Sequence, residues 1–167
     1  ERLYGLWRPR FELMERGQRL PEEEDIQTAD VKILVFGMGR VGSAIYDALS
    51  VDQAGQVLGV DMDDDQIQQH ITRQRQVIKG DATNPDFWTR TPGLADKLQM
   101  VILALPQHPA NLAAAERLQE IGFSGKVAAT TRYQDEIDSL EKLGVNFVFN
   151  IYSEAGKGFA ADLKQHF

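Results

Sequence analysis

Apolar and polar residues alternate along this chain in a regular order from Val31 onward. Short apolar runs with the length of buried strands occupy 31–36, 57–60, 77–78, 100–105, 126–131 and 145–149. Segments with helical spacing of apolar residues begin near 40, 63, 84, 109, 133 and 153, and the last of them reaches about 165. Strands that alternate with helices predict βαβ units, and therefore a parallel sheet with helices on both faces.

Right-handed crossovers between the six predicted strands favour the order 3-2-1-4-5-6, a Rossmann-like doubly wound α/β fold. In that order a ligand lies above the ends of strands 1 and 4, and segments 80–83 and 104–106 form part of its pocket. Helical spacing also predicts which residues face the sheet. They are Val41, Ala44, Ile45, Ala48 and Leu49 in the first helix, Ile67 and Ile71 in the second, and Leu112, Ala113, Ala114, Leu118 and Ile121 in the helix that begins at 109.

A glycine-rich segment follows the first predicted strand directly. It reads Gly37-Met38-Gly39-Arg40-Val41-Gly42, a G-x-G-x-x-G pattern between a strand and a helix. The first glycine allows a tight turn, the second lets a phosphate approach the backbone, and the third lets the helix pack against the strand. The helix N terminus adds unpaired N–H groups and a positive dipole end, which favour an anion. The segment therefore predicts a phosphate-binding loop.

An acidic residue, Asp61, ends the second strand, 19 residues after Gly42. A carboxylate at this place can accept hydrogen bonds from ribose hydroxyls, and it would repel a 2′-phosphate. The pair of motifs predicts a site for NAD or another adenosine nucleotide rather than for NADP. The alternative is that the three glycines form a tight turn that binds no ligand.

Composition narrows the class of protein. The chain has 167 residues, 43% of them hydrophobic and 26% charged, which is typical of one soluble globular domain. The net charge of −7 and the pI near 4.9 argue against a nucleic-acid partner, because phosphate neutralisation requires clustered Lys and Arg. The lack of cysteine excludes disulfides, a thiol nucleophile and thiolate metal ligation.

The remaining candidate groups have simple interpretations. His70, His108 and His166 lack metal-site spacing, so no metal is expected and these side chains are predicted to be solvated or to cap helices. The acidic run 63–65 is interpreted as a helix N terminus rather than a cation site. The segment 106–109, with a proline at each end, should form a rigid loop beside the pocket. No catalytic residues are expected, since no positioned base is evident.

Aromatic residues lie in the last predicted strand and just after it. They are Phe147, Phe149 and Tyr152, and they could belong either to the core or to an interface. The enrichment of aromatic residues in interfaces favours the second interpretation.

Residues 1–30 differ in composition from the rest of the chain. They contain Pro9, Pro21 and an acidic run at 22–25, and they predict a connecting segment with one short helix at about 9–16. Their large apolar residues would pack on the domain or on a partner, unless the segment is a poorly ordered tail. Those residues are Leu3, Tyr4, Leu6, Trp7, Phe11 and Leu13. The chain begins with Glu1, and we expect it to be a piece of a longer protein.

Several motifs together resemble the RCK/KTN (TrkA-N) family of cytosolic nucleotide-binding domains of potassium channels and transporters. They are GMGRVG, VDMDDDQIQQH, KGDATNPDFW and VILALP, followed by the sixth strand and its helix, so the resemblance covers about 31–165. The GDAT segment is the most distinctive of them. The chain is most similar to the C-terminal regulatory domains of Kef-type glutathione-gated potassium efflux systems, whose loop also carries Arg after the second glycine, as Arg40 does here.

The resemblance implies roles for named residues. Gly37, Gly39, Val41 and Gly42 match the phosphate loop, which also includes Met38 and Arg40. Asp61 matches the ribose-binding acid, Met62 would lie beside the adenine, and Asp81 and Ala82 would edge the adenine pocket. The implied cofactor is AMP or NAD(H). The implied second ligand is glutathione or its S-conjugates, held by Arg40 and Arg132, because a guanidinium grips a carboxylate with two hydrogen bonds. For both arginines, ordinary solvated or ion-paired surface positions are the alternative.

The resemblance also implies an assembly. Residues 31–167 would be the nucleotide-binding domain and would form a homodimer through about 145–165, which includes a C-terminal dimerisation helix. Residues 1–30 would be the end of a linker from a membrane transport domain N-terminal to Glu1, and the domain would lie at the cytoplasmic face of a bacterial inner membrane. The alternatives are the equivalent domain of a potassium channel or Trk-type uptake system, or a small NAD-dependent oxidoreductase.

Overall fold

The computed structural model describes residues 30–166. The helix and the apolar cluster predicted near the N terminus lie outside the described residues. Within the described part of the chain, no helix combines the length and the apolar character that a membrane crossing requires.

A six-stranded parallel sheet forms the centre of the domain, in the order β3-β2-β1-β4-β5-β6. The strands are β1 (Ile33–Phe36), β2 (Val57–Asp61), β3 (Val77–Lys79), β4 (Met100–Leu103), β5 (Lys126–Thr131) and β6 (Phe147–Asn150). The predicted fold class and strand order are confirmed. All four residues of β1 are buried, as expected for a central strand that is covered on both faces.

Helices connect the strands on both faces of the sheet. They are α1 (Arg40–Asp52), α2 (Asp64–Thr72), α3 (Pro85–Arg90), α4 (Leu94–Lys97), α5 (His108–Glu120), α6 (Ile137–Lys142) and α7 (Ile151–His166). Asp63 caps α2 by accepting a 3.0 Å hydrogen bond from Gln66 N–H, which explains the acidic run as a helix start. Asn84 caps α3 in the same way, and Pro85 occupies its first turn, as predicted.

The segment predicted as one helix over 133–143 is divided. A 3-10 helix at Gln134–Glu136 precedes α6. The reason is local: the Glu136 carboxylate turns back to accept hydrogen bonds from Thr131, Arg132 and Tyr133, and this capping holds the first turn in a tighter form.

Two apolar clusters cover the two faces of the sheet. The larger includes Phe36, Phe87 and Trp88, whose rings contact one another at centroid distances of 5.2–5.7 Å. The smaller includes Ile33 and Val35. Each cluster takes side chains from helices on its own side, so the sheet is sandwiched as a doubly wound fold requires.

The predicted buried faces of three helices are partly wrong. In α1, Ala44 and Ala48 are exposed and Tyr46 is buried, because Gly42 rather than an alanine forms the close contact with the sheet. In α2, Ile71 is 48% exposed and the neighbouring His70 is buried. α5 ends at Glu120, one residue before the exposed Ile121.

Candidate functional site

A cleft of about 1140 Å³ opens at the carboxyl ends of the strands. Most of the predicted site residues line it: Gly37, Gly39, Arg40, Val41, Asp61, Met62, Asp81, Ala82 and Arg132. Met38 and Gly42 do not line it, because the Met38 side chain is fully buried and Gly42 packs against the loop backbone. The segments at 80–83 and 104–106 form part of the wall, as the strand order predicted, and the loop at 106–109 also lines the cleft.

Three glycines shape the loop between β1 and α1, each for a different reason. Gly37 has φ +85°, and a Cβ there would lie 2.6 Å from the Ala104 carbonyl oxygen. A Cβ on Gly42 would lie 1.8 Å from the Gly37 carbonyl oxygen. At Gly39 a Cβ would meet no described atom of residues 30–166 within 4 Å. The protein's own packing therefore explains Gly37 and Gly42, whereas the open side of Gly39 leaves room for an external group.

The start of α1 suits an anion. Gly39 is its N-cap, and no side chain caps the helix there. The first turn carries no acidic residue, so its N–H groups face the cleft without a competing carboxylate.

The Asp61 carboxylate connects the predicted ribose-binding position to the predicted phosphate-binding loop. Its Oδ2 accepts a 2.7 Å hydrogen bond from Met38 N–H in the loop, and its Oδ1 accepts a 3.0 Å bond from Asp63 N–H. Each oxygen has a further lone pair for a hydroxyl. The side chain is thus oriented before any ligand arrives.

The residues predicted beside an adenine lie along the same end of the cleft. Met62 is 63% exposed at its rim. Asp81 Oδ1 accepts bonds from Thr83 N–H and the Thr83 hydroxyl, at 2.8 and 2.7 Å. The Ala82 carbonyl accepts a 3.2 Å bond from Trp88 Nε1–H. This wall is therefore held by its own hydrogen bonds.

His70 has a role that the sequence analysis missed. It is 4% exposed, so its prediction as a solvated or capping residue is wrong. Its Nε2 lies 2.7 Å from the Met38 carbonyl oxygen, and its Nδ1 lies 2.8 Å from Arg75 Nη1. Arg75 in turn donates two hydrogen bonds to Asp47, at 2.7 and 2.5 Å. Its position in the sequence could have indicated this burial, because His70 is three residues after Ile67 and so lies on the same helix face.

Asn111 is a second buried polar residue that the sequence analysis missed. It is 2% exposed, accepts a 3.2 Å bond from Leu105 N–H, and donates a 3.1 Å bond to the Thr130 carbonyl. It thereby joins the ends of β4 and β5 in the cleft wall.

The two predicted arginines lie in the same cleft, on different elements. Arg40 begins α1 and Arg132 follows β5, and both are exposed. Of the alternatives for Arg40, an ion-paired surface position is not observed, because the ion pairs within 30–166 join other residues.

The loop after β5 is organised by Glu136. Partial burial by itself would raise the pKa of this carboxyl, but hydrogen bonds from the Thr131 hydroxyl and from Tyr133 and Arg132 N–H outweigh it and leave the pKa below its usual value. An ionised Glu136 therefore holds the backbone of Arg132 at the cleft.

His108 adds a polar atom to this part of the cleft wall. Its Nε2 lies 3.0 Å from the Ser139 hydroxyl oxygen. Within the described part of the chain, its buried Nδ1 has no hydrogen-bond partner.

Exposed aromatic residues lie on β6, which is an edge strand of the sheet, and at the start of α7. Phe147, Phe149 and Tyr152 are 61%, 39% and 59% exposed, so they lie outside the core. Tyr152 contacts Tyr133 edge to face at 6.2 Å, and both of these rings also line the cleft.

Comparison with known proteins agrees with this geometry. The model of the TrkA-N domain family matches residues 33–151. None of the curated proteins matches the sequence.

Three solved structures illustrate the likeness of fold. The TrkA-N domain of inner membrane protein ybaL from Escherichia coli is 18% identical, with a TM-score of 0.67 over 79% of this chain and 96% of that one. The Kef CTD of Shewanella denitrificans, in its AMP-bound form, is 21% identical, with a TM-score of 0.63 over 80% of each chain. The GsuK channel bound to NAD is 18% identical, with a TM-score of 0.62 over 86% of this chain and 25% of that one.

The family match runs from the first strand to the start of the last helix and covers well over half of the sequence. The chain belongs to the TrkA-N domain family.

Proposed function

We propose that this chain is the regulatory domain of a bacterial potassium efflux system, and that it binds an adenosine nucleotide in the cleft. One observation carries the proposal: an open Gly39 at the start of α1 and an oriented carboxylate, Asp61, line the same cleft. The first suits a phosphate and the second a ribose, and the loop connects them.

The nucleotide would be AMP or NAD(H). The carboxylate of Asp61 disfavours a 2′-phosphate by charge repulsion, which argues against NADP. The AMP-bound Kef CTD and the NAD-bound GsuK channel support both candidates, since the chain shares their fold.

Glutathione or an S-conjugate would be the regulatory ligand. Arg40 and Arg132 are exposed in the cleft of a domain whose net charge is −7, so local cations are needed for an anionic peptide. The hydrogen bond from Arg132 N–H to Glu136 holds the backbone of Arg132 at the cleft, which supports one guanidinium within reach of the ligand. A ligand of this kind would act by binding two arrangements of the protein with different affinity.

The assembly would be a homodimer through about 145–165, attached to a membrane transport domain by residues 1–30 and lying at the cytoplasmic face. The exposed aromatic residues of β6 and α7 support the dimer, because such residues are enriched in interfaces. The related ybaL domain belongs to an inner membrane protein, which supports the membrane partner.

The nearest rival is the equivalent domain of a potassium channel, which the shared fold with GsuK favours. An NAD-dependent oxidoreductase is the more distant one. Potassium flux through the full-length protein in membrane vesicles separates the antiporter from the channel, and the absorbance of NADH tests for an oxidoreductase. An antiporter exchanges potassium for protons, a channel conducts potassium alone, and an oxidoreductase changes the absorbance of NADH.

Calorimetric titration with AMP, NAD⁺ and NADP⁺ tests nucleotide binding directly. We expect AMP or NAD⁺ to bind at least about tenfold more tightly than NADP⁺. Native mass spectrometry of the purified domain reports any retained nucleotide and the dimer together. Failure of AMP and NAD⁺ alike to bind would refute the proposal.

A further inference from the structure

The geometry points to His70 as a positioning residue for the proposed phosphate loop. It performs this role only as one neutral tautomer, so a second proton on the imidazole should weaken nucleotide binding. This inference rests on the proposed nucleotide binding. It concerns a side chain that does not line the cleft and that acts through Met38.

The partners of the imidazole determine its protonation. Arg75 Nη1, 2.8 Å away, can only donate, so His70 Nδ1 must accept. The Met38 carbonyl oxygen, 2.7 Å away, can only accept, so Nε2 must carry the proton. The neutral Nε2–H tautomer satisfies both contacts, and the other tautomer satisfies neither.

The Met38 carbonyl matters because of the peptide to which it belongs. The Met38 C=O and the Gly39 N–H lie in one planar trans peptide and point in opposite directions. His70 holds the carbonyl on the buried side, so the Gly39 N–H points away from His70. Gly39 lines the cleft and has open space beside it. His70 therefore orients an N–H group at the place where the phosphate is proposed to bind.

A second anchor acts on the other side of the same residue. Met38 N–H donates to Asp61, and the Met38 side chain packs on Gly59, where a Cβ would lie 2.7 Å from its sulfur. With the His70 contact, both peptides of Met38 are held. Loss of either the His70 or the Asp61 hydrogen bond should make the loop more mobile without disrupting the hydrophobic core.

A second proton on His70 would disrupt this arrangement. It would occupy Nδ1 and face the Arg75 guanidinium at 2.8 Å, so the hydrogen bond would be replaced by contact between two cations. Arg75 cannot move away freely, because its Nε and Nη2 both donate hydrogen bonds to the Asp47 carboxylate.

Other polar groups near this network act in both directions. Asp47 favours a cation at His70 but lies beyond Arg75, and Arg73 adds positive charge near Asp47. Tyr46, the neighbour of Asp47 on α1, uses its hydroxyl to accept from Gln76 N–H. Asp61 lies on the far side of the Met38 peptide. The group in direct contact with Nδ1 is Arg75, so a proton at Nδ1 would meet that cation first.

Two substitutions separate the hydrogen bond from the proton. His70→Gln keeps an N–H donor for the Met38 carbonyl but does not titrate, whereas His70→Leu removes the donor. At about pH 8 we expect the Gln variant to bind AMP or NAD⁺ within about threefold of the parent, and the Leu variant to bind about threefold to tenfold more weakly.

The pH profile supplies the decisive measurement. Calorimetry is repeated at decreasing pH until ¹⁵N NMR shows a second proton on His70. The parent-to-Gln affinity ratio should fall by about threefold or more, and titration of the ligand's own phosphate cancels in that ratio. His166→Gln, on α7, is the matched control and should keep the parental profile. In the nucleotide-free domain, ¹⁵N NMR should show the Nε2–H tautomer of His70.

The outcomes distinguish the two proposals. If the parent binds neither AMP nor NAD⁺, the proposed nucleotide function fails, and this inference fails with it. If the parent binds but the ratio is flat with pH, or the Leu variant binds as the parent does, only the role of His70 is overturned. A His70 with its proton on Nδ1 would also overturn it, whether or not the Leu variant folds.

Discussion

The backbone N–H of Met38 donates a 2.7 Å hydrogen bond to Asp61 Oδ2. Met38 lies in the loop between β1 and α1, and Asp61 ends β2, so one bond ties together two segments that are 23 residues apart. Asp61, the residue proposed to bind the ribose, therefore also supports the structure of the proposed phosphate-binding loop.

Replacing Asp61 should affect both stability and binding. Asp61→Ala removes the acceptors of the Met38 and Asp63 N–H groups; the second is exposed to water, but leaving the partly buried Met38 N–H unsatisfied costs roughly 1–3 kcal/mol of unfolding free energy. Asp61→Asn retains one acceptor oxygen and should fall between the parent and the Ala variant. Urea denaturation measures the first effect and calorimetry with AMP or NAD⁺ the second. Parental nucleotide affinity in the Ala variant would contradict the ribose role.

A methyl group at Gly39 should separate binding from folding. No described residue within 30–166 lies within 4 Å of a Cβ there, and the backbone is extended, so Gly39→Ala should lower stability by no more than about 1 kcal/mol, the usual difference between Gly and Ala at an N-cap. Nucleotide affinity should fall by about tenfold or more, since the methyl occupies the path of the phosphate.

Two further glycine substitutions calibrate that result. Gly42→Ala places a Cβ 1.8 Å from a carbonyl oxygen and should prevent normal folding. Gly156→Ala on α7 meets nothing within 4 Å and should leave affinity unchanged. A Gly39→Ala domain that folds and binds as the parent does would show that the phosphate does not approach the loop there.

The Asp47–Arg75 pair should contribute to stability in a pH-dependent way. Hydrogen bonds from Arg75 lower the pKa of Asp47 below its usual value. A depressed carboxyl pKa contributes stability above the pKa of the unfolded chain, near about 4, and that stability is lost as the pH falls through the folded pKa. The carboxylate is 52% exposed, so solvent screening limits the contribution to roughly 0.2–1 kcal/mol.

Asp47→Asn is the variant that tests this linkage. It should be less stable than the parent near neutral pH, and the difference should shrink as acid protonates Asp47 in the parent. Urea denaturation of both proteins across this range gives the two curves. A difference that persists unchanged in acid would mean that the charge of Asp47 is not its source.

Arg132→Ala should reduce the glutathione response with little effect on folding. The side chain is exposed, and its backbone N–H bond to Glu136 survives the substitution. Loss of a bidentate contact to a carboxylate weakens binding by roughly tenfold, and Lys restores charge but not the fork. Potassium efflux from cells that express the full-length protein measures the response. Arg90→Ala, outside the cleft, is the control, and an unchanged response in Arg132→Ala would remove this residue from the site.

A charge on the edge strand should break the proposed dimer. Phe147 is 61% exposed on β6, and Phe147→Glu would place a carboxylate in the centre of an aromatic contact. Light scattering with gel filtration should show a monomer. Val51→Glu, at an 81% exposed position on α1, should keep the parental mass. Parental mass in the Phe147 variant would place the interface elsewhere.

The order of the elements was predictable because each depends on short-range patterns. Runs such as Met100–Leu103 are apolar enough for a central strand, and Gly37 and Gly42 identify the turn between β1 and α1. Right-handed crossovers then leave few strand orders. For the same reason Asp61 was predictable at the cleft, since it ends a strand at the edge where the strand ends meet, whereas Arg132 was assigned there from the family resemblance.

Side-chain partners were not predictable, because they depend on how helices rotate against the sheet. The spacing of α2 places Ile71 inward as readily as His70, and only the packed helix buries the imidazole against Met38. Asn111 likewise acquires its role from the distance between β4 and β5. The sequence by itself determined the fold and the location of the cleft through local periodicity. The tertiary structure alone decided which polar groups hold the loop, because hydrogen bonds between distant segments exist only after packing.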